Sequence, residues 1–210
     1  MNPPIEITQP TRQFFPHADS LRALYESSFP ASERADFDAL IASVARGERL
    51  HFIATTNDDL VGFALLFPLR DTDAILLEYF AVASSQRGRG IGSEILQRVV
   101  GRLREPRAET GIILEVESDT EGDSAEHARR ARRIAFYERN GARVIEHARN
   151  YRVPNLAGAG TLAMKLLWLP LRDHAPLPTD EQLRAHIRAI YTQAYELAAD
   201  DPLVLTINES

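Results

Sequence analysis

Residues 75–96 read ILLEYFAVASSQRGRGIGSEIL, and the fold turns on them. Ile75 to Val82 is rich in aromatic and branched residues, with one charge, Glu78, inside it, which predicts a strand. Ser84 and Ser85 break the run. Gln86-Arg87-Gly88-Arg89-Gly90-Ile91-Gly92 is a turn in which glycines alternate with basic or apolar residues. Ile91, Ile95, Val99 and Leu103 then recur at helical spacing, so a helix runs to about Glu105, where Pro106 stops it. Strand, glycine turn and helix form a layout for holding a phosphate. The amides of the turn point one way, and the helix N-terminus adds partial positive charge. Glycines let the backbone approach the ligand closely, and successive amides make an anion nest.

Two familiar phosphate loops do not fit. The dinucleotide fingerprint is G-x-G-x-x-G, and this turn reads G-x-G-x-G. The nucleoside-triphosphate loop ends in G-K-[ST], and no lysine stands here. The segment resembles the acyl-CoA loop of the GNAT N-acetyltransferases, [RQ]-x-x-G-x-[GA], which falls on Arg87, Gly90 and Gly92 after a strand ending Ala81-Val82. The resemblance implies that Phe80, Ala81 and Val82, with Arg87, Gly88, Arg89, Gly90, Ile91, Gly92 and Ser93, bind acetyl-CoA as a co-substrate. The competing reading is a βα turn with no ligand.

The chain has 210 residues and a formal net charge of −6 at pH 7, which argues against nucleic acid as a main partner. There is no cysteine, hence no disulfide, thiol nucleophile or cysteine zinc site, and no metal is expected. No apolar stretch approaches membrane-spanning length. MNPPIEITQP has no basic segment followed by an apolar run, so no signal peptide is expected and the location is taken as cytoplasmic.

Upstream, Pro3, Pro4 and Pro10 keep the start extended, and Ile5 to Thr8 suits an edge strand. His17 to Ser28 reads as a helix, and Ser32 or Asp36 caps a second through Phe37, Leu40, Ile41 and Val44. By the resemblance, Glu33 and Arg34 between these helices touch the acceptor; a solvated capping turn is the other reading. His51 to Thr56, Leu60 to Leu69 and Ala74 to Val82 form a meander with turns at Asn57-Asp58-Asp59 and Asp71-Thr72-Asp73. On the third strand Leu76, Glu78, Phe80 and Val82 share a face. A half-buried carboxylate among apolar neighbours is costly unless hydrogen-bonded. Glu78 is therefore a candidate base or substrate anchor, or else the partner of an arginine on a covering helix.

Downstream, Gly111 to Ser118 (GIILEVES) is a strand that puts Glu115 and Glu117 on one face with Ile113. Two such carboxylates repel unless a cavity, water or a cation separates them. His127 to Asn140 (HARRARRIAFYERN) is a helix closed by Gly141. Here a second GNAT motif appears, A-x-x-[FL]-Y-x-x-x-G-[FA] after a strand of type LEV: Leu114-Glu115-Val116, then Phe136-Tyr137 with Gly141-Ala142. Arg130 stands where the family often has Asn, and Arg133 where it often has Ala. Those arginines, with Arg129 and Arg132, bind an anion or face solvent.

Arg143 to Pro154 and Thr161 to Leu169 read as an antiparallel pair, and Tyr151 and Arg152 lie where GNAT acceptor pockets are often lined. After the Pro176 and Pro178 linker, Thr179 and Gln182 have capping-box spacing. The helix beyond has Leu183, Ile187, Ile190, Tyr191, Ala194 and Leu197 on one stripe, and packs on the core or on a second subunit as a homodimer contact. Leu203 to Ile207 reads as strand-like.

The resemblance implies an α/β (α+β) GNAT fold, a mixed, mostly antiparallel sheet flanked by helices. Residues 1–169 form the acetyltransferase domain and 170–210 a C-terminal extension. It implies transfer of an acetyl group from acetyl-CoA to a primary amine of a small molecule or peptide. Glu115 or Glu78 is the base that takes the ammonium proton, and Tyr137 the acid that protonates the leaving sulfur. A non-catalytic acyl-CoA binder or sensor on the same fold is the alternative; a nucleotide-binding module is a third.

Overall fold

The computed structural model describes residues 4–10, 17–104, 108–173 and 175–209. Pro3, Glu105 and Pro106, named above, lie outside them. The chain forms two compact units: Met1–Pro68 with Leu77–Pro106 and Leu156–Gly158, and Leu69–Leu76 with Arg107–Asn155 and Ala159–Ser210.

The first unit carries β1 (Glu6–Thr8), α1 (Ala18–Ser28), α2 (Phe37–Arg46), β2 (Leu50–Thr56), β3 (Asp59–Pro68), most of β4 (Ala74–Val82) and α3 (Ile91–Leu103). Its strands run in the order β1-β2-β3-β4, and β1–β2 and β2–β3 are antiparallel. The β2–β3 hairpin closes on Asn57 and Asp58, both at positive φ (48° and 65°), the geometry of a two-residue turn that matches strand twist. Asp36, not Ser32, caps α2: its Oδ1 accepts from the Ala39 amide at 2.8 Å. Ile91, Ile95, Val99 and Leu103 of α3 are buried, the stripe expected from spacing, and Leu96 is buried beside them. Each contributes about 1.5–3 kcal/mol relative to exposure, before the entropy of ordering is counted. A Cβ on Gly62 of β3 would lie 2.7 Å from the Ala81 carbonyl and 2.8 Å from Ile95 Cδ1. Glycine is what lets these elements close up.

The second unit carries the start of β4, then β5 (Gly111–Glu117), α4 (Ser124–Arg139), β6 (Arg143–Val144), β7 (Arg152–Pro154), β8 (Thr161–Pro170), α5 (Asp180–Ala189) and α6 (Pro202–Leu205). Strand β8 lies between β5 and β6, antiparallel to both, and β7 also pairs with β8. The continuous strand expected over 143–154 is thus two short ones. Ala148 turns back onto the Ile145 carbonyl (3.0 Å), and Asn150 sits at φ 64°, which no strand tolerates.

Helix α4 begins at Ser124, before the expected His127, because Asp123 and Glu126 form a capping box. The expected box at Thr179 and Gln182 opens α5. A π-helical turn, Ile190–Ala194, follows α5. The strand-like reading of 203–207 is corrected: Pro202–Leu205 is helical. Asp201 accepts from the Leu203 amide and Pro202 presets the first-turn φ, and these local signals outweigh the branched side chains. Leu183, Ile190 and Tyr191 are buried as expected, with His186 in the stripe as well. No helix among the described residues is long and apolar enough to cross a membrane. The architecture is mixed α/β, with a mostly antiparallel sheet flanked by helices.

Candidate active site

In the first unit, the Gly88 and Gly90 φ angles are +76° and +80°, and a Cβ at either would meet nothing within 4 Å. The turn bends as L side chains rarely do, with open space above it. Gly90 is the N-cap of α3, and no side chain caps the helix. An anion above the turn would meet the first amides of α3 directly. Arg87 is exposed, and its Nε donates to the Val82 carbonyl at 3.0 Å, tying the turn to the end of β4.

On β4, both Glu78 oxygens are taken by Arg49, Nε at 2.7 Å and Nη2 at 2.9 Å. The arginine comes from the turn after α2 rather than from a covering helix. Burial pushes the Glu78 carboxyl up, while the Arg49 guanidinium pulls it down. On the other face, the Tyr79 hydroxyl accepts from the Ala35 amide and donates to the Glu33 carbonyl, both at 3.0 Å. Tyr25 donates to the Ala35 carbonyl at 2.9 Å. The loop holding Glu33 and Arg34 is therefore pinned by its backbone to two phenols, and the Arg34 guanidinium donates to the Glu26 carbonyl at 3.3 Å.

In the second unit, the two β5 carboxylates on one face have different partners. Glu117 accepts from Arg130 Nε at 3.1 Å and Arg133 Nη1 at 3.0 Å. The two positions that depart from the GNAT pattern thus share one carboxylate, and these are the cations that relieve the clash expected between the glutamates. Arg129 and Arg132 are exposed. Glu115 instead accepts from two phenols: Tyr151 at 2.5 Å and Tyr195 at 3.0 Å. Burial, then the Glu115 charge, pushes the Tyr151 phenol well above its usual range, so it stays a donor. Arg152, the other expected lining residue, donates to Thr161 Oγ1 (2.7 Å) and pairs with Glu121 (3.2 Å).

Tyr137 sits near the end of α4, 7% exposed, with its ring edge-on to Phe136. Burial pushes its phenol up to about 12, with Arg133 pulling the other way. The hydroxyl is protonated throughout the neutral range.

The first unit therefore gathers Glu78, Phe80, Ala81, Val82 and the Arg87–Ser93 turn, and the second gathers Glu115 and Tyr137. Residues 18–142, more than half of the chain, match the model of the Acetyltransferase (GNAT) family. The chain belongs to the GNAT acetyltransferase family. No curated protein matches the sequence. Among solved structures, this GNAT chain is similar to a GNAT-family protein from Bacteroides thetaiotaomicron, with 24% identity and a TM-score of 0.70 over 92% of this chain and 99% of the other. An aminoglycoside 6'-N-acetyltransferase complexed with coenzyme A is 22% identical, with a TM-score of 0.59 over 83% and 99%. A spermidine N-acetyltransferase from Vibrio cholerae, in complex with CoA and spermine, is 11% identical, with a TM-score of 0.58 over 80% and 95%. At these identities the likeness is one of fold.

Sequence reading missed Tyr195. The Tyr191 and Tyr195 spacing of four on a capped helix was the available signal, because it puts both rings on one side.

Proposed function

We propose that this GNAT protein transfers an acetyl group from acetyl-CoA to a primary amine. Residues 1–169 are read as the transferase domain and 170–210 as its extension. The observation that carries the reading is Glu115, a strand carboxylate held by phenols in the motif position of the family base. Its charge suits a cationic acceptor, and it can then take the proton an ammonium must lose before attack. The glycine turn suits the pyrophosphate of CoA, since it offers uncapped helix amides and no side chain in the way. Tyr137, kept protonated, is read as the donor to the leaving sulfur. Glu78 is the weaker base, since taking a proton would break its bidentate bond to Arg49. The acceptors of the aminoglycoside and spermidine enzymes make polycationic amines sensible first trials.

The test is thiol release from acetyl-CoA with spermine, kanamycin and a peptide bearing a free N-terminus. Release with one of them, lost in Glu115→Gln, supports the reading. CoA binding by calorimetry without release in any mixture would favour an acyl-CoA sensor instead.

A further inference from the structure

The C-terminal extension lies beyond the residues matched by the family model, yet it reaches the strand carboxylate to which the proposed function gives the amine. It is fixed at several points. Gln193 brackets the Arg70 backbone, accepting from its amide at 2.8 Å and donating to its carbonyl at 3.1 Å. Tyr191 stacks on Tyr151 (centroids 5.6 Å apart, planes 3° apart) and donates to the Arg152 carbonyl at 2.6 Å. His186 Nε2 lies 2.8 Å from Asp73 Oδ1. The π turn is closed by the Tyr195 amide on the Ile190 carbonyl at 3.1 Å. Anchored this way, the two tyrosines of the turn do different things. The Tyr191 hydroxyl goes to a backbone carbonyl, the usual end of a structural phenol. The Tyr195 hydroxyl goes to a carboxylate oxygen.

We infer that Tyr195 is a positioning residue for Glu115: the extension sets the orientation and proton affinity of the carboxylate that meets the acceptor. The inference rests on the reading of Glu115 given above. Tyr151 holds one oxygen and Tyr195 the other, so the carboxylate plane is fixed from both sides. A hydrogen bond to the ionised form favours that form, so losing one donor makes the group harder to ionise. Other charged and titratable groups around it include Tyr191, and Glu117 with its partners Arg130 and Arg133.

The experiment needs no known acceptor. The side-chain carboxyl carbons of the full chain are labelled by [13C]glutamate, and the Glu115 signal is identified by its loss in Glu115→Gln. Its titration midpoint is compared between wild type and Tyr195→Phe, which keeps the half-buried ring. The midpoint should rise by about one pH unit in the variant, with the melting temperature nearly unchanged. If spermine or kanamycin gives turnover, the acidic limb of kcat/KM should rise with it. A midpoint that stays put, or a limb that stays put while the midpoint moves, overturns the inference. If no amine gives turnover, the reading of Glu115 as the amine-side group falls separately, and the midpoint still decides whether Tyr195 governs it.

Discussion

Arg49 holds Glu78 by both arms, Nε 2.7 Å from one carboxylate oxygen and Nη2 2.9 Å from the other. The two side chains are only 12% and 9% exposed, and the guanidinium lies 4.6 Å over the Phe67 ring. Removing one partner leaves a buried charge uncompensated. Arg49→Met should cost about 3–5 kcal/mol in urea unfolding, and adding Glu78→Leu should recover most of it. A loss under about 1 kcal/mol in the single variant would place the pair with ordinary surface bridges.

Tyr137→Phe removes only a hydroxyl from a buried ring. Packing and CoA affinity should hold, while kcat falls by about 10²–10⁴-fold, because the thiolate must leave unprotonated or take its proton from water. The loss should lie in kcat rather than KM, as the interaction strengthens only when charge builds on sulfur. Steady-state kinetics on a working amine measures this, and a Phe variant with wild-type kcat removes Tyr137 from the chemistry.

Gly90 at φ +80° has open space where a side chain would stand. The Cβ of Gly90→Val should therefore meet no clash inside the fold, and backbone strain should cost about 1–2 kcal/mol. CoA binding should weaken at least tenfold, because the added methyls fill the approach to the α3 amides. Calorimetry with CoA on the folded variant checks it; unchanged affinity would take the turn out of the binding site.

His51 is buried beside Phe63, and burial lowers its pKa to about 3. Its unfolded value is about 6.5. The unfolded chain therefore binds this proton first as pH falls. The His51 contribution is complete above about pH 6.5 and is lost toward pH 3, at up to about 1.4 kcal/mol per pH unit. His51→Phe should flatten the acid side of the stability curve over that window. Urea melts from pH 7 to 4 would show it, and identical slopes in the two proteins would exclude His51 as a source.

The glycine turn, its flanking strand and helix and the capping box at Thr179 were legible because each is local: a short run of residues decides the backbone. The hairpin at Asn57-Asp58 was legible for the same reason. Three features were not. Arg49 and Glu78 stand far apart in the chain, and nothing in either neighbourhood names the other. Glu117 has the same identity as Glu115 and shares its strand face, and their partners are set apart only by distant segments: Arg130 and Arg133 of α4 for one, Tyr151 and Tyr195 for the other. The 143–154 stretch carries Val144, Ile145, Tyr151 and Val153, which suit strands, but a tight turn at Ala148 and a left-handed Asn150 divide it. Propensity could not weigh those against the pattern.

Strand β8 pairs with β5 and β6 along opposite edges and also carries β7. In order of synthesis it emerges after all three. A growing chain therefore holds β5, with its two glutamates, and the two short strands until one late segment arrives to join them. Closure of the second unit becomes a single late event with high contact order, slow by the usual relation between topology and rate. Proteolysis of chains stalled before and after emergence of Pro170 would reveal it, with protection of β6 and β7 gained only in the longer one. The Tyr195 hydroxyl comes later still, so the second of the two phenols on Glu115 arrives only after that strand has emerged.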